Sequence, residues 1–117
     1  MQPRIERFGL KYANQLKTFE PMRPSLLLEA NRTAVREIAL RHRVGDVRVF
    51  GSVVHGVDTE CSDLDVLVEP TDETTLMDIA AIQLELERLL GITVDVLTPN
   101  ALPERFRSQV IAEAIPV

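Results

Sequence analysis

Val49-Phe50-Gly51-Ser52-Val53-Val54-His55-Gly56, followed after a short gap by Ser62-Asp63-Leu64-Asp65-Val66-Leu67-Val68, is the stretch on which the reading of this chain turns. Val47, Val49 and Phe50 form a short strand that stops at Gly51-Ser52. Leu64 to Val68 is apolar nearly throughout, as expected of a strand buried on both faces. Alternate strand residues share a face, so Asp63 and Asp65 project from the same side. Side-by-side carboxylates repel each other unless something positive lies between them. They are also the oxygen ligands that hard divalent cations prefer. A polar intrusion into a core pattern points to function rather than packing.

Gly51-Ser52 supplies the other half. Glycine lets the chain turn and approach a ligand closely. A short helix then begins at Ser52, whose free N–H groups and hydroxyl make a cradle for phosphate. Gly56 is expected to relieve crowding one turn later. Gly-Ser after a strand is by itself an ordinary turn, but here four identities stand at fixed spacing: Gly51-Ser52, ten residues, Asp63, one residue, Asp65. At ordinary residue frequencies, roughly one unrelated chain in a thousand would match by accident.

Outward from this stretch, Ser25 is placed to cap a helix in which Leu28, Val35, Ile38 and Ala39 recur at helical spacing before Gly45. Downstream, a turn at Pro70 to Thr74 leads into a helix from about Thr75 to Leu90, with Ile79, Ile82, Leu86 and Leu89 on one side and Gly91 as a left-handed stop. A third strand, Ile92 to Leu97, is interrupted by Asp95. If it lies beside Leu64 to Val68, Asp95 converges on Asp63 and Asp65. A last helix is expected over Pro103 to Ala114, with proline harmless in its first turn. Residues 1–24 read as an N-terminal extension, and residues 25–117 as one domain with alternating helices and strands.

Bulk properties narrow the function classes. The chain has 117 residues, is 45% apolar and carries a formal charge of −5, which argues against broad nucleic-acid binding. No apolar run is long enough to span a bilayer. The single cysteine, Cys61, permits no internal disulfide, so a cytoplasmic setting is expected. The acidic neighbours of Cys61 disfavour a reactive thiolate. Charge is divided unevenly: ten basic and five acidic residues up to Arg48, then three and thirteen. Arg32, Arg36, Arg41 and Arg43 are expected to form a solvated helix face, and His42 to be a plain exposed residue.

The Gly-Ser, ten-residue gap, Asp-x-Asp pattern resembles the signature of the DNA polymerase β-like nucleotidyltransferases. The resemblance covers about Ser25 to Val117. The runs Leu89 to Leu102 and Ile111 to Val117 are similar to the minimal nucleotidyltransferase group, whose members include MntA-type antitoxins paired with helical HEPN-type toxins. This resemblance implies an α/β (α+β) fold with a small, mixed sheet of three to four strands flanked by helices. It implies two Mg²⁺ ions held by Asp63, Asp65 and Asp95, the β- and γ-phosphates of ATP on Gly51 and Ser52, and Asp95 as acceptor of the attacking proton. It further implies transfer of AMP to a tyrosine of a HEPN-type toxin within a toxin–antitoxin hetero-oligomer.

Many relatives carry an arginine where this chain has His55, beside Gly56, a shorter reach to phosphate that is often neutral at pH 7. Two alternatives stand beside the protein adenylyltransferase: an antitoxin acting by binding alone, and a nucleotidyltransferase for a small molecule or RNA. Three intact carboxylates favour an enzyme over a binder. A single short domain leaves little room to hold its own acceptor, so a second chain is expected to present it.

Overall fold

Residues 22–117 are described in the computed structural model of the chain; most of the N-terminal extension therefore lies outside the described residues. Helices α1 (Pro24–Ala30) and α2 (Arg32–Leu40) precede strand β1 (Val44–Phe50). The one-turn helix α3 (Ser52–His55) leads by a loop to β2 (Leu64–Pro70), α4 (Leu76–Leu90) and β3 (Val94–Leu97). A 3₁₀ turn, Pro99–Ala101, then joins α5 (Glu104–Glu113) and a two-residue edge strand, β4 (Ile115–Pro116). The sheet runs β3-β2-β1-β4, with β2 and β3 parallel and the other pairs antiparallel. It is the small mixed sheet flanked by helices that the family resemblance implies.

Strand alternation divides the sheet into two faces. Val47 and Val49 of β1, Leu64, Val66 and Val68 of β2, and Val94 and Val96 of β3 point to one side. There they join Leu28 of α1, Val35 and Ala39 of α2, and Ile82, Leu86 and Leu90 of α4 in one core. Burial of these branched side chains is the main source of stability. β2 is the axis of the domain: Leu64, Val66, Leu67 and Val68 are all fully buried.

Two boundaries depart from expectation. The helix predicted from Ser25 toward Gly45 breaks at Asn31, whose side-chain amide donates to the carbonyl of Leu27 at 2.9 Å. Asparagine competes in this way with the helical ladder. Nor does Ser25 cap α1; Arg23 is the N-cap residue, and Ser25 lies inside the helix. The Ser25 N–H instead donates to Asp58 Oδ2 at 2.9 Å, so the cap comes from the loop before β2. Gly45 belongs to β1, and the chain turns at Arg43, a non-glycine residue with φ of 67°. The Arg43 carbonyl accepts from the hydroxyls of Thr71 and Thr74, which fix this turn from across the sheet.

α4 begins with a reciprocal capping box. The Asp78 N–H donates to Thr75 Oγ1 at 3.2 Å, and the Thr75 N–H donates to Asp78 Oδ2 at 2.9 Å. Thr75→Ala is expected to destabilise the fold by about 1 kcal/mol, read as a lower urea midpoint at unchanged slope. Gly91 ends α4 in the left-handed conformation, as predicted. His42 is not the plain exposed side chain expected: it is half-buried, with Nε2 2.8 Å from Glu85 Oε2. Arg41 Nη2 donates to the other oxygen of Glu85 at 3.0 Å, so the pair ties α2 to α4. Cys61 is free and exposed.

Candidate active site

The second face of the sheet carries the candidate carboxylates. Register places Phe50 of β1 opposite Asp65 of β2, and Asp65 opposite Asp95 of β3. These three residues form one row across three strands. The next row is Arg48, Leu67 and Leu97. Asp95 is therefore brought beside Asp65, the placement inferred if the two strands were neighbours. Asp63 stands one residue before β2 and is exposed.

Electrostatics confirms that the three carboxylates share a neighbourhood. The Asp65 carboxyl is pushed up to about 6, first by burial and then by the negative charges of Asp95 and Asp63. Each neighbouring charge makes ionising Asp65 harder. Among the described residues, no three His, Cys, Asp or Glu side chains are gathered into a closed metal-holding group. Asp65 feels the charges of Asp95 and Asp63, and the three do not form a tight cage.

Gly51 is fitted against this row. Its φ of 77° and ψ of −145° suit glycine alone. A Cβ built there would collide with the Asp65 carboxylate. The turn thus lies directly against Asp65, and Ser52 opens α3 beside it. Gly56 does not relieve crowding as expected, because an added Cβ would meet nothing within 4 Å. Its glycine is required for the left-handed stop of α3, at φ of 71°.

His55 lies at the end of α3, but its ring is already engaged. Nε2 is 2.8 Å from Glu113 Oε1 at the end of α5. The hydrogen bond from His55, supported by one from Gln109, holds the Glu113 carboxyl below the usual carboxylate range. Glu113 was not singled out in the sequence, because nothing local links it to a residue 58 positions away. Asp58 was missed for the same reason. It is the buried polar side chain of the gap between Gly51-Ser52 and Asp63. Burial pushes the Asp58 carboxyl up, but hydrogen bonds from Ser25 and the charge of Arg23 outweigh that and hold it low. Asp58 thereby pins the loop leading into Asp63.

Comparison with known proteins follows the same outline. The nucleotidyltransferase domain family model matches residues 29–117. A proposed protein adenylyltransferase of Methanocaldococcus jannaschii is 38% identical over 80 residues, spanning 68% of this chain and 86% of that protein. The protein adenylyltransferase MntA of Thermococcus cleftensis is 33% identical over 89 residues, spanning 76% of this chain and 87% of its own length. A solved structure described as a proposed minimal nucleotidyltransferase superposes with a TM-score of 0.71 at 46% identity, covering 80% of this chain and 95% of that one. A toxin–antitoxin crystal structure with AMP-PNP shares the fold at a TM-score of 0.58 and 18% identity, covering 68% of this chain and 66% of that one. With the Gly-Ser turn set against Asp65 and Asp65 in register with Asp95, the chain belongs to the nucleotidyltransferase domain family, in its minimal nucleotidyltransferase group.

Proposed function

We propose that this chain transfers AMP from ATP to a hydroxyl of a partner protein, and that it serves as the antitoxin to a HEPN-type toxin whose tyrosine is the acceptor. Residues 25–117 are the catalytic unit, residues 1–24 an extension, and the working complex a cytoplasmic hetero-oligomer. The observation that carries the reading is the Phe50–Asp65–Asp95 row with Gly51 set against Asp65. The names of the relatives, protein adenylyltransferases, support the acceptor class.

The donor set fits magnesium. Asp63, Asp65 and Asp95 offer an all-oxygen donor set of the kind a hard cation favours, and burial and the charges of Asp95 and Asp63 make Asp65 harder to ionise without one. Asp63, Asp65 and Asp95 would hold two Mg²⁺ ions, which when bound supply charge neutralisation at the reacting phosphate. The rest falls to the chain itself. Gly51 and Ser52, at the start of α3, orient the β- and γ-phosphates through backbone N–H groups. The acceptor oxygen attacks the α-phosphorus as the bond to the β-phosphate oxygen breaks and pyrophosphate leaves. Exposed Asp95 takes the hydroxyl proton. The names of these relatives favour a protein acceptor over a small molecule or RNA.

The test uses the full chain purified with the protein encoded beside it, incubated with ATP and Mg²⁺ and followed by intact mass. One or more added AMP units on the partner are expected, and none with Asp63→Asn/Asp65→Asn. An unmodified partner that is still silenced in the complex would replace this reading with neutralisation by binding.

A further inference from the structure

The chain has a single tyrosine, Tyr12. It lies in the N-terminal extension, outside the described residues. Contacts within the described domain fix the point where that extension joins it. The Ser25 N–H, in the first turn of α1, donates to Asp58 Oδ2 at 2.9 Å. Ser25 and Leu28 of α1 also share a cleft of about 210 Å³ with Val53 and Val54 of α3. The start of α1 is thus held against α3, which opens at the phosphate turn, and against the loop that runs into Asp63. The extension joins the domain beside the proposed active site.

The length of chain allows Tyr12 to reach it. Asp58 precedes Asp63 by five residues, a separation of at most about 18 Å. Tyr12 precedes Ser25 by thirteen residues, enough to span about 43–47 Å when extended. An acceptor on such a tether is presented at an effective concentration on the order of millimolar, with no second molecule to capture. Charge acts in the same direction. Residues 1–21 carry Arg4, Arg7, Lys11 and Lys17 against Glu6 and Glu20, while the site side carries Glu60 with Asp63, Asp65 and Asp95. Opposite charges steer a basic segment toward an acidic site. Residues 1–21 offer two side-chain hydroxyls, Tyr12 and Thr18. A phenol, with an ordinary pKa of about 10, gives up its proton more readily than an aliphatic alcohol.

We propose that this chain also modifies itself, transferring AMP from ATP to its own Tyr12 in cis. The proposal rests on the nucleotidyl-transfer reading above. Tyr12 Oη attacks the α-phosphorus and forms the new P–O bond. The bond from that phosphorus to the oxygen bridging it to the β-phosphorus breaks, pyrophosphate leaves, and Asp95 receives the phenolic proton. Self-modification then competes with transfer to the partner for the same ATP.

Intact mass of the full chain alone, incubated with ATP and Mg²⁺, tests this, with peptide mapping to locate the AMP. One added AMP unit is expected, mapped to Tyr12. It should be lost in Tyr12→Phe, which removes only the hydroxyl, and in Asp63→Asn/Asp65→Asn, but kept in Thr18→Ala. The fraction modified in a fixed time should hold across about a hundredfold dilution of protein at constant ATP, as a tethered acceptor requires. AMP on the partner but none on the chain alone would overturn self-modification and leave transfer to the partner standing. AMP that persists in Tyr12→Phe would overturn Tyr12 as the acceptor. A fraction that falls with dilution would overturn the reaction in cis. If neither protein gains AMP, the nucleotidyl-transfer reading itself falls, and self-modification with it.

Discussion

Asp65→Asn is expected to slow nucleotidyl transfer by about 10²–10³ while making the metal-free protein more stable at neutral pH. Both effects come from one arrangement. Asp65 is half-buried in the row between Phe50 and Asp95, and its carboxyl is pushed up to about 6 by burial and then by Asp95 and Asp63. The folded chain therefore holds this proton more tightly than the unfolded chain, whose ordinary value is 3.8. The stability this group contributes is fully present below the unfolded value and is lost as pH rises through the folded one. Above about pH 6, ionised Asp65 is a net cost to the fold. A shift of this size sets a ceiling of about 3 kcal/mol, and solvent screening at a half-exposed carboxylate reduces it to about 1 kcal/mol. Asparagine keeps the shape and removes the charge. The midpoint should rise by roughly 4–8 °C at neutral pH, with the advantage gone by about pH 4.

Activity should move the other way. Losing a carboxylate that would help hold the phosphate-neutralising cations removes several kcal/mol of transition-state stabilisation, or about 10²–10³ in rate. Magnesium separates the two roles. In the wild type it should raise the midpoint by relieving the repulsion among Asp63, Asp65 and Asp95; in Asp65→Asn that rise should largely disappear. Thermal melts with and without Mg²⁺, beside the mass-based transfer assay, measure all three effects. A variant that melts lower than the wild type at neutral pH, or keeps more than a tenth of its rate, would show that Asp65 is a structural carboxylate.

The Asp65–Asp95 row was legible because strand alternation is local. Once Leu64 to Val68 and Ile92 to Leu97 are recognised as strands, their faces follow from the pleat, and adjacency requires only one pairing. Other features depend on residues far apart in the chain. β4 has two residues, too few for a period, and Pro116 argues against a strand except at an edge, which is where it lies. Arg43 adopts a positive φ under two hydroxyls from Thr71 and Thr74. The α1 break, by contrast, was a local asparagine bond that apolar spacing does not register. Glu113 and Asp58 look like surface acids until the fold places one on His55 and the other on Ser25. Thus the carboxylate row could be read in advance, whereas the contacts that orient its surroundings could not.

Gly51→Ala should inactivate the enzyme by a different route, and Gly91→Ala provides the comparison. Both glycines have positive φ, 77° and 71°. Alanine at Gly91 meets nothing within 4 Å and strains a left-handed helix stop without touching the carboxylate row, at a cost of about 1 kcal/mol. At Gly51 the backbone lies in a region that excludes other residues more strongly, with ψ of −145°, and strain should cost about 2–3 kcal/mol. The added Cβ must also displace the Asp65 carboxylate. A carboxylate can swing aside, so the collision is relieved by moving Asp65 rather than by unfolding the sheet. Transfer should therefore fall by about 10² or more, because a displaced group no longer positions the phosphate. Gly91→Ala should lose stability but retain its rate. Urea titrations and transfer rates for the two variants give the comparison, and equal losses of activity would mean that Gly51 acts through general stability rather than through its contact with Asp65.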